Sequence, residues 1–170
     1  MIRARNHSPG SKTMTSAMRF LLVLAALTVL PATTFAAGAY AVYESESGFE
    51  TVMEGAKTAI LERGMYINNI MHMGEMLERT GKDLGMDEQI YGRAESIEFC
   101  SAVLSRKMTA EDPSRIVNCP FILAIYTLPN HPDKTFIAHR TVPAEEKADS
   151  EVMTAVAEML KGIAEAAASW

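Results

Sequence analysis

The segment Cys119–Thr127, with the sequence CPFILAIYT, constrains the fold of this chain more than any other stretch. Successive side chains of a strand point to opposite faces of the sheet, and here both alternating sets are apolar. Such a strand is typical of the centre of a sheet. After the turn-rich link Leu128–Lys134, we expect Thr135–Arg140 to return as its antiparallel partner in a hairpin.

Residues that typically begin or end helices occur at several points before this hairpin, between segments with the pattern of strands. Ser47 and Glu50 have the spacing of a capping box, which predicts that a helix starts there, and Gly64 is suited to end it in the left-handed region. Ser101 is the predicted cap of another helix, which must finish before Pro113. The other predicted elements are strands Tyr40–Glu44, Met65–Met73 and Glu95–Cys100, a weak helix Gly74–Leu84, the capped helix Ala102–Met108, and a last helix with Pro143 in its first turn and an apolar stripe of Val152, Val156, Met159, Leu160 and Ile163.

This order of elements defines the expected fold class. Strands separated by helices, then a hairpin and a closing helix, predict an α+β fold: a single largely antiparallel sheet with helices packed on one face. The chain has 170 residues, which is enough for one core of this kind and not for a second substantial one.

An export signal is predicted at the start of the chain. The apolar run Phe20–Leu30 follows Arg19, and small residues around Ala36 suit cleavage by a signal peptidase. We therefore expect a signal peptide over residues 1–36, a single domain over 37–170, and a periplasmic or secreted protein. The alternative is an uncleaved anchor in the inner membrane, because residues 20–43 carry no charge, although Pro31 weakens that interpretation.

The distribution of charge disfavours nucleic acid as a partner. The chain has 16 Lys and Arg against 21 Asp and Glu, and four of the basic residues precede Ala37. The predicted mature domain therefore carries a net charge of -9. An acidic surface repels phosphate backbones and anionic lipid headgroups, so membrane association is expected only if the signal stays uncleaved.

Several short motifs occur in a recognisable order. They are Phe49-Glu50-Thr51, Glu62-Arg63-Gly64-Met65, Phe99-Cys100, Asp112-Pro113, Phe121–Tyr126 and Thr141-Val142-Pro143. With these motifs, the chain from about Tyr43 to Pro143 resembles the bacterial and archaeal family called domain of unknown function 302. The resemblance implies a compact sheet with helices on one side and a homodimer, and it implies no reaction. Where relatives tend to have Asn-Pro and Leu-Pro-Cys, this chain has Cys100-Ser101 and Asn118-Cys119-Pro120.

Cys100 and Cys119 are the candidate disulfide or redox residues. In an oxidising compartment the two can pair, provided that their strands are antiparallel neighbours. Such a bridge would close a loop of roughly 20 residues and add about 3 kcal/mol of stability. The alternatives are two inert buried thiols, or a reactive Cys100 whose thiolate is stabilised by the N-terminus of the following helix.

The run Met71-His72-Met73-Gly74-Glu75-Met76 carries thioether and imidazole groups, which are ligands suited to Cu(I). On a strand, His72 points away from Met71 and Met73, so the three cannot converge; His72 and Met76 share a face only if the next helix begins early. Methionine readily fills irregular cores, so packing is the competing explanation. Met71, His72 and Met76 are therefore metal candidates, while no metal site is predicted.

The sequence contains no motif for a nucleotide, a phosphate loop, a zinc protease or covalent haem. It favours a non-enzymatic module that binds a ligand, a partner or itself, with His72, Tyr126 and His139 as ligand-binding candidates. The alternative is an envelope redox, soft-metal or haem-associated protein that uses Cys100 and Cys119 or the Met71-His72-Met73 run. No cofactor is expected under the first interpretation, and copper or haem under the second.

Overall fold

The structure is a computed structural model, and it describes residues 38–170. The predicted signal peptide lies outside the described residues. Within them, five strands form one antiparallel sheet in the order β1-β5-β4-β3-β2. The strands are β1 (Tyr40–Ser45), β2 (Tyr66–Met71), β3 (Arg93–Cys100), β4 (Phe121–Leu128) and β5 (His131–Arg140). The helices are α1 (Phe49–Glu62), α2 (Met73–Asp83), α3 (Ala102–Glu111), α4 (Ala144–Asp149) and α5 (Glu151–Ala168), and a 3-10 helix spans Pro113–Asn118.

The α+β class and the largely antiparallel sheet are confirmed, and β4 is the central strand as its sequence predicts. Helices α1 and α5 pack against each other and against the sheet. On β4, Phe121, Leu123 and Ile125 are buried and belong to the same core cluster as these helices, whereas Ile122 is 50% exposed. Burying a large aliphatic side chain of this kind contributes about 1.5–3 kcal/mol, so this face of β4 is a major source of stability.

Local signals placed several ends of elements correctly. Gly64 has φ of 68°, the left-handed conformation that glycine adopts without steric cost. The Ser101 hydroxyl accepts a hydrogen bond from the backbone N–H of Leu104 at 3.3 Å, which caps α3. Helix α3 runs three residues beyond its predicted end, to Glu111, and stops at an extended Asp112 before Pro113.

The predicted capping box at Ser47 and Glu50 is wrong. Helix α1 begins at Phe49 behind Gly48, and no side chain caps it. The Ser47 hydroxyl instead donates to the carbonyl of Trp170 at 2.9 Å, and the Glu50 carboxylate pairs with Arg93. Both side chains are thus engaged by groups that are distant in sequence, and spacing alone does not reveal such partners.

The predicted last helix is two helices, because Ser150 interrupts it in an extended conformation. Its hydroxyl accepts from the backbone N–H of Met153 at 3.2 Å and donates to the Glu111 carboxylate at 2.6 Å. Arg115 donates to the same carboxylate, also at 2.6 Å. Pro143 therefore precedes the short α4 rather than opening a long helix, and Ser150 caps α5.

Two other boundaries differ from the sequence prediction. Strand β2 ends at Met71, two residues early, and α2 starts at Met73. The hairpin link is also shorter than predicted, since β4 extends to Leu128 and β5 begins at His131. Of the helices in residues 38–170, none is both long enough and apolar enough to cross a membrane.

Replacing Ile125 by Ala is expected to destabilise the protein by about 2–5 kcal/mol, because the side chain is fully buried and its loss leaves a cavity. The matched control is Ile122→Ala on the same strand, expected to cost less than about 1 kcal/mol because that side chain is half exposed. Urea denaturation followed by circular dichroism measures both changes. Equal losses for the two variants would contradict the assignment of the faces of β4.

Candidate functional site

The sheet opens between β4 and β5 at one end. The two strands pair as far as Ala124 opposite Ala138, where their pairing stops. Beyond that point β4 remains paired with β3 as far as Phe121, and β5 remains paired with β1 as far as Arg140. Each strand follows its other neighbour, so a gap separates the start of β4 from the end of β5.

A cavity of about 300 Å³ is lined by residues on both sides of this gap. We call it the β4–β5 cleft. Its buried lining side chains are Phe121, His139, Met153, Val156 and Leu160. Exposed apolar side chains at Tyr40, Val117 and Ile122 also line it. The cleft is therefore a largely apolar hollow that reaches from the core to the surface, which is the usual character of a small-molecule site.

His139 is the polar side chain buried in this lining, with 7% of its surface exposed. Its Nδ1 lies 2.8 Å from the carbonyl oxygen of Arg140. A carbonyl oxygen only accepts hydrogen bonds, so this contact assigns the proton to Nδ1, and Nε2 of the neutral ring is an acceptor. Nε2 is buried and has no hydrogen-bond partner among the described residues. The ring also stacks on Tyr43, with centroids 5.8 Å apart.

A buried acceptor without a partner is costly. Leaving such a group unsatisfied costs about 1–3 kcal/mol relative to its hydrogen-bonded state in water. In a native fold, an exception of this kind is explained by strain, by a functional role, or by a bound water, ion or ligand. The cleft also has Asn118, Arg140 and Glu146 in its lining, which offer an amide, a cation and a carboxylate.

The structure places Cys100 and Cys119 together, with their sulfur atoms 3.2 Å apart. They stand at the end of β3 and just before β4, and these strands are antiparallel neighbours, which is the condition that the sequence analysis set for pairing. Both residues are half-buried free thiols. Burial, followed by the neighbouring Cys119, raises the pKa of the Cys100 thiol to about 11. This direction is opposite to the activation of Cys100 considered above.

His72 lies in the position before the first residue of α2, with Nδ1 3.5 Å from the carboxylate of Glu95. The helix does begin early, so His72 precedes Met76 by about one turn. Met71 and Met76 are each more than a third exposed and so lie outside the core. Among residues 38–170, no three His, Cys, Asp or Glu side chains are grouped closely enough to hold a metal ion.

Tyr126 lies at the other end of β4, away from the cleft. Its ring stacks on Phe136 at 5.3 Å between centroids and meets the edge of Tyr91 at 5.4 Å. Burial raises the pKa of the Tyr126 phenol. The structure therefore does not bring Tyr126, His72 and His139 into one site.

Sequence reasoning missed two polar clusters. Arg93 contacts the carboxylates of Glu50 and Glu95, and its guanidinium lies 3.9 Å from the centroid of the Phe49 ring. Its side-chain hydrogen bond lowers the pKa of the Glu50 carboxyl. The other cluster is the polar part of the cleft, where Arg140 and Glu146 join His139. The cleft depends on which strands stay paired, and no local motif signals that.

Two other hollows are weaker candidates. One, of about 250 Å³, lies beside Arg93 and is lined mainly by polar groups, among them His72 and Glu75. The other, of about 660 Å³, lies between α2 and residues 84–91, and its apolar lining includes the well exposed Leu84, Met86 and Ile90. Neither contains an unpartnered buried polar atom, whereas the β4–β5 cleft is lined by the residue that has one.

The fold and the cleft define a single α+β domain with a ligand-sized hollow and no recognisable catalytic motif. The family model described as "Domain of unknown function DUF302" matches residues 41–167. The chain belongs to this family, as its motifs indicate. No curated protein matches the sequence.

A solved structure shares the fold. It is the crystal structure of an uncharacterized conserved DUF302 protein from Bacillus stearothermophilus, similar with a TM-score of 0.62 and 14% sequence identity. The match covers 77% of this chain and 99% of the other.

Proposed function

We propose that this protein is an exported binding domain that holds a small, mainly apolar molecule in the β4–β5 cleft. The observation that carries the proposal is the unpartnered Nε2 of His139, a buried acceptor in a largely apolar lining. A ligand that donates one hydrogen bond to Nε2 would satisfy this atom and cover the exposed apolar rim.

The cleft limits the size and chemistry of the ligand. An apolar protein cavity of roughly 150 Å³ holds a benzene ring, so a volume of about 300 Å³ suits a one- or two-ring compound. In this tautomer of His139, Nε2 accepts a hydrogen bond, so the ligand needs a donor such as a phenolic hydroxyl or an amide N–H. The proposed ligand class is therefore small aromatic or alicyclic molecules with one hydroxyl or N–H group.

Binding is favoured over catalysis by the partners of the imidazole. A histidine that acts as a general base in a triad is oriented by a carboxylate, which also stabilises the charged ring. The Nδ1 of His139 is instead held by the carbonyl of Arg140, and the ring stacks on Tyr43. These contacts orient the ring and assign a proton to Nδ1, which leaves Nε2 as the atom that faces a bound molecule.

Phenol and toluene are matched probes of this site, because they share a shape and differ in a donor. We expect phenol to bind about 2- to 10-fold more tightly than toluene, which is the worth of one net hydrogen bond. Chemical shifts of the backbone amides around the cleft report binding. The Nε2 resonance of His139 is expected to move with phenol and to stay in place with toluene.

His139→Phe removes the acceptor and keeps an aromatic ring, so the preference for phenol should disappear while toluene still binds. His131→Phe is the control, because that histidine is exposed at the hairpin and far along β5 from the cleft. An unchanged preference in His139→Phe, or binding of neither probe to the wild-type cleft, would contradict the proposal.

Export is the second part of the proposal, and it rests on the sequence of residues 1–36. Removal of this segment would leave a mature chain that begins at Ala37. The mass of the protein isolated from its native cells is expected to match residues 37–170. Recovery of the protein from cytosol with the leader attached would refute it.

A second candidate function is self-association through the face of the sheet opposite α1 and α5. On this face, Tyr40, Val42, Tyr66, Met71 and Ile122 are exposed apolar side chains. Glu44 and Arg140 alternate onto the same face, so a copy related by a twofold axis can offer opposite charges as well as apolar area. A stable dimer needs about 800 Å² from each partner, which requires most of a five-stranded face.

Val42→Glu is expected to shift the protein towards monomer in sedimentation equilibrium, because a charge buried in an apolar interface is left unpaired. Val103→Glu on α3 is the matched control, since Val103 is 63% exposed on another surface. A monomeric wild type at high protein concentration would exclude this candidate function.

A further inference from the structure

The pairing of β3 with β4 brings two thiols into contact. The last residue of β3 is Cys100, and Phe99 pairs with Phe121, two residues after Cys119. On the other side, the backbone N–H of Cys119 donates to the carbonyl of Ile116 at 3.0 Å, which fixes the end of the 3-10 helix. The two sulfur atoms are held 3.2 Å apart by this framework.

We propose that Cys100 and Cys119 form an exchange-active dithiol site, in which Cys119 attacks an external disulfide and Cys100 resolves the mixed disulfide. The co-substrate class is low-molecular-weight disulfides. The exchange uses neither His139 nor the ligand of the β4–β5 cleft, so failure of the binding proposal would leave this one standing.

The contacts of the two sulfurs assign the order of attack. The hydroxyl of Ser105, in the first turn of α3, donates to Sγ of Cys119 at 3.5 Å and stabilises a thiolate there. The Ser105 hydroxyl does not contact Cys100, and burial, followed by the neighbouring Cys119, raises the pKa of the Cys100 thiol to about 11. The hydrogen bond from Ser105 therefore identifies Cys119 as the attacking sulfur.

The exchange balances in two steps. The Cys119 thiolate attacks one sulfur of the external disulfide, whose S–S bond breaks and releases one thiolate, which takes up a proton. Cys100 then loses its proton and attacks Sγ of Cys119, releasing the second thiol. The two protein thiols are oxidised to one disulfide, and the external disulfide is reduced to two thiols.

The site is also reachable, because both cysteines are half-buried rather than enclosed in the core. The bond would close a loop that contains α3 and the 3-10 helix. A small disulfide such as glutathione disulfide can approach the pair, and the resolving thiol is already within contact distance of the attacking one.

The test uses the full-length protein, reduced and then incubated with glutathione disulfide. The reaction is stopped with acid, and intact mass is measured after alkylation in denaturant. The wild type is expected to lose both free thiols and to retain no glutathione. Cys100→Ser is expected to accumulate one glutathione on Cys119. Cys119→Ser is expected to react at Cys100 at least about 10-fold more slowly, because Cys100 lacks the hydrogen bond from Ser105 and its burial disfavours the thiolate.

Ser105→Ala tests the assigned role of the hydroxyl, because it keeps both thiols and removes the donor to Cys119. We expect slower formation of the disulfide with the same final product. Circular dichroism of each variant confirms that it is folded. Two free thiols remaining in the wild type would overturn the site, and equal rates of adduct formation in the two cysteine variants would overturn the order of attack.

Discussion

The burial of one face of β4 under α1 is the interaction on which the rest of the structure depends. Leu123 and Ile125 have no exposed surface, so the strand cannot slip by one residue without turning this pair towards solvent. The register with β3 and β5 is fixed as a consequence. That register places the end of β3 beside the start of β4, and Ala124 beside Ala138.

The β4–β5 cleft arises because two strands part where each keeps another partner. β4 stays with β3 and β5 stays with β1, so the unpaired ends are held apart by ordinary strand pairing on either side. Helix α5 supplies Met153, Val156 and Leu160 to the lining. The cleft is thus lined by residues that also form the core, so a ligand would bind to a surface that is already ordered.

The sequence predicted the structure correctly wherever the pattern of neighbouring residues alone determines a strand, a helix end or a cap. The apolar pattern of Phe121–Tyr126 predicted a central strand, Gly64 predicted a left-handed helix end, and Ser101 predicted a cap; all three are confirmed. The prediction was wrong where a side chain forms a hydrogen bond with a residue that is distant in sequence. Ser47 donates to Trp170 and Ser150 donates to Glu111, so one predicted helix cap was wrong and one helix break was missed.

In the candidate site too, the sequence indicated individual residues but not their surroundings. The sequence offered His139 as one of three ligand-binding candidates and the two cysteines as candidates for a disulfide or a redox site. The structure gives each of them surroundings that single residues do not reveal. The cavity around His139 depends on the parting of β4 from β5, and the contact between sulfurs depends on the antiparallel order of β3 and β4. Both are properties of strand order.

The location of Cys119 in the chain connects the two regions. Its neighbours in sequence, Asn118 and Pro120, both line the cleft, although Cys119 itself does not. A covalent bond from Cys119 to β3 would tether the peptide that joins these two lining residues. The oxidation state of the two cysteines would then determine how far this part of the cleft can move when a ligand binds. The oxidised protein would present the more rigid binding site.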